Sequence, residues 1–175
     1  MTRGFGYFLA PLVRVRRLLA LSLGLGLILL MTLGQGPALG ERSRGSKRIN
    51  STEYGQEVLD LVNRARRSEG RSPLRWSQEV ADAAQTRAME LGRKFSHTRP
   101  NGKKWNSILK EHRINSSAYG ENIASGQKNP AAVMKSWLKS PGHRSNILDR
   151  DYTRLGVGVA VGPDGQLKWA QIFLE

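Results

Sequence analysis

The chain of 175 residues contains no cysteine. Small secreted domains often rely on disulfides, so a domain without them depends on its apolar core for stability. The absence of cysteine also excludes a lipid anchor attached to a cysteine, iron–sulfur clusters, and structural zinc sites built on thiolates.

Acidic residues are scarce, with 14 against 28 basic residues and a net charge of +14. The first 40 residues hold four arginines and no acidic residue, which leaves +10 for residues 41–175. Residues 41–52 contribute four basic groups and one acidic group, so +7 remains for the rest. The basic residues are scattered and no stripe of aromatic side chains accompanies them, so nucleic acid is not an expected partner. Attraction to anionic cell-wall polymers or lipid headgroups is the alternative that such charge favours.

The N-terminal segment has the pattern of a targeting sequence. Arg14, Arg16 and Arg17 precede an uncharged run from Leu18 to Leu33, and small residues follow up to Gly40. This pattern predicts a signal peptide over residues 1–40, cleaved after Gly40. An uncleaved N-terminal anchor is the alternative, although the run is shorter than the roughly 20 residues of a spanning helix. We therefore expect a secreted or envelope-associated protein that meets the membrane only through this segment.

Residues 41–52 are polar and basic and are interpreted as a flexible linker, and residues 53–175 have the size of one domain. Two amphipathic helices are predicted at the start of this domain from their apolar periodicity. The first begins near Glu53, with Ser51 or Thr52 as its cap, and the second runs from a cap at Ser77 to Gly92.

The middle of the domain is less regular. A short helix is predicted around Trp105, and residues 115–128 are predicted as a loop with a short extended piece. Asn129 and Pro130 open a further helix, and His143 begins another helical turn. Alternating apolar residues from Leu155 to Val161, a GPDG turn and a second apolar run predict a β-hairpin. The fold class is therefore α+β.

Three side chains are the candidates for a functional site. His97 and His143 are two of only three histidines, and both lie in segments rich in glycine, proline and serine. Imidazole transfers protons or binds metals near neutral pH. Glu121 lies between them in YGENIA, where apolar neighbours predict a partly buried carboxylate that needs a partner. The separations of 24 and 22 residues follow no local spacing rule, so only the fold can bring the three together. The third histidine, His112, is predicted to lie exposed at a helix end.

Five ordered motifs carry a family resemblance: FSHTRPNG, GENIA, a tryptophan followed by SPGHRSNIL, the LGVGVA strand and the closing WAQIF. They resemble the bacterial, cysteine-free branch of the CAP superfamily, which comprises cysteine-rich secretory proteins, antigen 5 and pathogenesis-related 1 proteins and is also called the SCP domain. The resemblance extends from about residue 55 to 174. It implies an α-β-α sandwich in which a three-stranded antiparallel sheet lies between helical layers, with a central cleft.

The resemblance also implies the members of that cleft. It assigns His97 and His143 as ligands of a divalent metal such as zinc, with Glu121 beside them as a catalytic candidate. Ser96, Asn122 and Ser140 are expected as further cleft residues. The eukaryotic branch has a second glutamate shortly after the tryptophan, whereas Leu138, Lys139 and Ser140 follow Trp137 here. This departure weakens any mechanism that needs two carboxylates.

Three functions remain open at this point. The first is an exported binding or interaction module, whose partner is a cell-wall polymer, a lipid or sterol, or another protein. The second is a metal-assisted hydrolase of peptide or cell-wall material, in which Glu121 is a third ligand or a general base. A serine nucleophile at Ser96 or Ser140 is a weaker variant, because no oxyanion-hole motif is recognisable. In the third, the histidines and the glutamate only brace the loops.

Overall fold

A computed structural model describes residues 49–175. The predicted signal peptide or anchor and all but the last residues of the predicted linker lie outside this range. The elements follow in the order α1 (Ser51–Ser68), β1 (Arg75–Trp76), α2 (Gln78–Leu91), α3 (Ser107–Glu111), β2 (Tyr119–Ser125), α4 (Pro130–Lys139), α5 (Pro141–Leu148), β3 (Arg154–Val161) and β4 (Leu167–Leu174). Among these residues, no helix combines the length and the apolar character that a bilayer span requires.

Side-chain caps define the starts of three helices. The Ser77 hydroxyl accepts from Val80 N at the start of α2, and Asn129 Oδ1 accepts from Ala132 N ahead of Pro130 in α4, as predicted. The start predicted for α1 was two residues late. Asn50, not Ser51 or Thr52, is its cap and accepts from Glu53 N, so the helix already begins at Ser51.

The sheet contains four strands in the order β1-β3-β4-β2, one more than the three-stranded sheet that the resemblance implies. The additional strand, β1, is only two residues long and pairs in parallel with the start of β3. Such a short segment shows no alternation, so no sequence pattern marked it. The β3–β4 hairpin is confirmed, and β2 pairs with β4 over all seven of its residues. The extended piece predicted within residues 115–128 is therefore a full strand.

Helices cover both faces of the sheet, and this confirms the α-β-α sandwich. On one face, α2 lies directly on β3, where Gly156 and Gly158 have no side chains to hold the two backbones apart. On the other face, α1, α4 and α5 enclose the main core together with Trp169 and Phe173 of β4. The site described next lies at the outer strand β2, where segments of both layers meet.

Candidate functional site

A cavity of about 660 Å³ lies along the outer edge of β2. Its walls come from three segments: the loop after α2, the second half of β2, and the α4–α5 connection. The lining residues are Phe95, Ser96, His97, Ile123, Ala124, Ser125, Gln127, Ser136, Trp137, Ser140 and His143. His97 reaches the cavity from one helical layer and His143 from the other. The fold therefore brings together two histidines that are 46 residues apart in the sequence.

His97 is held from behind by Glu121. Its Nδ1 lies 2.6 Å from Glu121 Oε2, and the Glu121 side chain has no exposed area, whereas 55% of the His97 side chain is exposed. A carboxylate can only accept, so Nδ1 carries the proton of this bond. In the neutral ring with this tautomer, the lone pair lies on the other ring nitrogen, Nε2. Glu121 itself does not line the cavity.

Arg87 of α2 occupies the remaining oxygen of Glu121. Its Nε donates to Glu121 Oε1 at 2.7 Å, its Nη1 to Glu90 Oε2 at 2.6 Å and its Nη2 to the carbonyl oxygen of Ser96 at 2.9 Å. The Arg87 side chain is completely buried. One guanidinium therefore positions both the carboxylate behind His97 and the backbone next to His97.

The buried ion pairs continue away from the cavity. Glu90 also accepts from Arg99, which in turn donates to Glu111 of α3. Burial alone would raise the pKa of the Glu90 carboxyl, but the hydrogen bonds from Arg99 and Arg87 outweigh it and hold that pKa below its ordinary value. A continuous chain of alternating charges thus links α2, α3 and the loop that carries His97.

His143 lies in the first turn of α5. Asn122 fixes the backbone there, because its Nδ2 donates to the carbonyl oxygen of His143 at 3.1 Å. Asn122 was predicted as a cleft residue, but it is fully buried beneath α5 and does not line the cavity. It also accepts from Asn146 and donates to Gln171, so it supports the histidine through the main chain.

The two predicted serines do line the cavity. Ser96 Oγ accepts from the amide of Thr98, which tightens the turn that presents His97. Ser140 joins α4 to α5, and its side chain makes no capping bond at the start of α5. His112 lies elsewhere, with its Nε2 at 3.4 Å from Thr86 Oγ1, and takes no part in the cavity.

Sequence reasoning missed Arg87, although a signal was present. Arg87 falls in the apolar stripe of α2, three residues after Ala84 and four after Ala83, both of which are completely buried. An arginine on the buried face of a helix requires carboxylate or carbonyl partners. The pattern therefore indicated buried partners for Arg87, and Glu121 is one of them.

The titration of His143 is the first testable consequence of this geometry. Burial, and secondarily the charge of His97, lowers its pKa below the ordinary value of an imidazole. The unfolded chain then takes up a proton at a higher pH than the folded chain, so this group lowers stability as the pH falls through that range. NMR titration of the ring protons should give a His143 midpoint below that of a free histidine. A midpoint at or above the free value would contradict the assigned environment, and His97→Ala should raise the midpoint by removing the second cause.

Comparison with known proteins agrees with this architecture. The cysteine-rich secretory protein family, CAP, matches residues 59–173. The chain belongs to the CAP family. It is 32% identical over 147 residues to the uncharacterized protein YkwD of Bacillus subtilis, covering 82% of this chain and 56% of YkwD. It is 38% identical over 118 residues to the uncharacterized membrane protein YlbC of the same organism, covering 65% of this chain and 33% of YlbC. The chain thus spans about half of one curated relative and a third of the other.

Solved CAP structures share the fold. An extracellular protein containing an SCP domain from Bacillus anthracis is 30% identical with a TM-score of 0.66, over 71% of this chain and 41% of that one. NaASP2, whose crystal structure contains Zn²⁺, is 17% identical with a TM-score of 0.52, over 70% of this chain and 80% of that one. The second likeness concerns the fold alone. The family, the sandwich and the absence of cysteine together make this a CAP-domain protein of the bacterial, cysteine-free kind.

Proposed function

We propose that this CAP domain is an exported binding module whose cavity holds a divalent cation between His97 and His143. The observation that carries the proposal is the bond between His97 Nδ1 and the buried carboxylate of Glu121. Metal-binding histidines typically donate their second ring nitrogen to a carboxylate, which fixes the tautomer and raises the basicity of the free nitrogen. His143 supplies a second imidazole, and its lowered pKa keeps that ring neutral to a lower pH than an ordinary histidine.

Two histidine ligands suit a cation site with free coordination positions better than a site in which the protein supplies every ligand. Within residues 49–175, no group of three histidine, cysteine, aspartate or glutamate side chains has the geometry of a metal site. Two imidazoles leave at least two positions of a tetrahedral zinc ion for solvent or a ligand. When bound, the cation would attract a negatively charged or carbonyl group of that ligand. The residues present therefore fit a cation that takes part in binding.

The hydrolase alternative has less support from the geometry. A general base must reach the proton that it removes, directly or through one water molecule. The Glu121 side chain is completely buried, and Arg87 and His97 occupy its two oxygens. We therefore assign Glu121 as a positioning residue behind His97, and neither as a third ligand nor as the base of a hydrolytic reaction.

Export is the second part of the proposal. It is supported by the arginines and the apolar run of the N-terminal segment, and by the relatives described as extracellular or as a membrane protein. The positive charge of the chain favours residence near anionic envelope polymers. Fractionation of cells that express the full chain tests this part, and recovery from the cytoplasmic fraction alone would contradict it.

Calorimetric titration of the full chain with zinc tests the cation site. We expect one equivalent to bind, and His97→Ala or His143→Ala to weaken binding at least tenfold because each removes one of two ligands. Glu121→Gln should weaken it by roughly 10- to 100-fold, the usual effect of losing a carboxylate behind a ligand. His112→Ala is the matched control and should bind zinc normally, since His112 lies outside the cavity. Absence of heat with the unmodified chain, or equal losses in all four variants, would refute the site.

A further inference from the structure

The outer edge of β2 forms one wall of the cavity. Next to one end of this strand, Gly126 N donates to Leu167 O at 2.9 Å, and next to the other end Glu175 N donates to Ala118 O at 3.1 Å. The even-numbered positions therefore exchange hydrogen bonds with β4. Because the peptide groups of a strand alternate in direction, those of the odd-numbered positions point away from β4, toward the cavity.

Two side chains already use part of this edge. Asn146 Nδ2 donates to the carbonyl oxygen of Glu121, and Trp137 Nε1 donates to that of Ile123, each at 3.3 Å. Both bonds confirm the outward direction of the odd-numbered peptide groups. Helix α5 thus closes the edge at Glu121, and Trp137 of α4 occupies the carbonyl oxygen of Ile123. Ile123 and Ser125 line the cavity, so the Ile123 N–H and the peptide groups of Ser125 are the part of the edge left for a ligand.

Ser125 presents a second donor to the cavity. Its Oγ lies 2.7 Å from Nζ of Lys168, which is 5% exposed and also bonds Asp164 at 2.6 Å. An ammonium group can only donate, so the serine oxygen accepts and its own hydroxyl proton is free to be donated. Among residues 49–175, its other contact is Gln166 Oε1 at 3.5 Å, the outer limit of a hydrogen bond. The Ser125 hydroxyl is therefore available to a carbonyl group in the cavity.

We propose that the cavity binds an extended peptide, which adds to the sheet as a further strand beside β2. An extended backbone presents donors and acceptors on one side every two residues, about 6.8 Å apart, which matches the repeat of a strand edge. The helical layers confine this strand from both sides, and the two imidazoles lie beside it. The proposal rests on the binding cleft proposed above and does not depend on the cation.

A second copy of the chain does not fit the same edge. Glu121, Asn122, Ile123 and Ala124 are each at most 7% exposed, so the strand is recessed between the layers. The corresponding strand of another copy is recessed in the same way, and two recessed edges cannot pair. Only a segment narrow enough to enter the cavity as a single strand can reach the N–H of Ile123 and the peptide groups of Ser125.

The test uses a pool of peptides with random sequences, because the proposed contacts are made by the peptide backbone. The full chain is incubated with a pool of blocked hexapeptides randomised at every position, in EDTA so that no cation takes part. Amide hydrogen exchange should slow at least tenfold at Ile123 and Ser125, while the amides of Asn122 and Ala124, already bonded to β4, change little. A peptoid pool with the same side chains and carbonyls lacks the backbone N–H groups that a paired strand donates to the carbonyl oxygen of Ser125, so it should protect the Ser125 amide less than the peptides do.

A protein variant provides an independent readout. Ser125→Ala removes the hydroxyl but keeps the edge amide, and it should weaken binding of the hexapeptide pool by about three- to tenfold, the effect of one hydrogen bond. Ser145→Ala, whose hydroxyl lies on α5 and bonds Gly142 outside the cavity, should leave binding unchanged. No protection at millimolar peptide, equal protection by the peptoids, or concentration-dependent dimerisation through this edge would overturn the proposal. Because EDTA is present, failure here leaves the zinc titration unaffected, and failure of the zinc titration leaves this result unaffected.

Discussion

Replacing Gly158 with alanine is expected to destabilise the domain by more than about 3 kcal/mol. A Cβ atom at Gly158 would overlap the carbonyl group of Ala84 in α2. The helix cannot turn aside locally, because Val80, Ala83 and Ala84 are completely buried against the sheet. Overpacking commonly costs about 1–3 kcal/mol, and more where backbone must move, against a total stability of about 5–15 kcal/mol. Because backbone atoms of α2 would have to move, the loss should exceed about 3 kcal/mol and remove a large part of the total stability.

Thermal unfolding followed by circular dichroism measures this effect. Gly142→Ala is the matched control, because no atom outside its own turn lies within 4 Å of the added Cβ. Alanine also favours helix more than glycine does, so this control should melt within a few degrees of the unmodified chain. Similar melting temperatures for the two variants would show that α2 does not lie on β3 as closely as described.

Arg87→Met is expected to be the most damaging change at the site. It leaves the completely buried carboxylate of Glu121 with His97 as its remaining partner and removes one of the two arginines on Glu90. Breaking one side of a buried ion pair typically costs about 3–5 kcal/mol, because an uncompensated charge stays in the interior. The loop carrying His97 also loses its anchor at the Ser96 carbonyl, so zinc affinity should fall together with stability.

Urea denaturation of a double variant separates charge from packing. Arg87→Met combined with Glu121→Leu removes both charges, so it should be more stable than Arg87→Met alone. Arg144→Met provides the surface control, since both side chains of the Arg144–Glu69 pair are nearly half exposed. Such a pair contributes at most about 1 kcal/mol. A double variant less stable than either single variant would contradict a buried, charge-coupled pair.

The sequence predicted the helices better than the strands. Capping residues and 3.6-residue periodicity identified α2 and α4 almost to the residue, because a cap is a local interaction. β2 was predicted only as a short extended piece, since Glu121 and Asn122 interrupt its apolar pattern. Each of these polar side chains has a hydrogen-bond partner on another element, Arg87 on α2 for Glu121 and Asn146 on α5 for Asn122. Those partners are distant in the sequence, so no local pattern indicates the full strand.

For the candidate site, the sequence indicated residues and could not predict how they are arranged. Residue type and the family motifs pointed to His97, Glu121 and His143, and the structure brings the two histidines to one cavity with Glu121 behind one of them. Their roles as ligands remain predictions. The sequence separation of these residues does not determine which oxygen of Glu121 bonds to which partner. That pairing depends on the packing of α2 against β2. The hydroxyl of Ser125 escaped notice for the same reason, since Lys168 reaches it from the neighbouring strand.

The strand order has a consequence for when the domain folds. The two central strands, β3 and β4, are the last elements of the domain, and the outer strands β1 and β2 pair only with them. Contacts between distant parts of a chain form late and slow the folding reaction. A chain emerging in order from its N-terminal end therefore has no sheet to close until residues 154–174 are present. This delay is compatible with the proposed export, since α1 and α2 alone have no sheet to pack against while the chain is still incomplete.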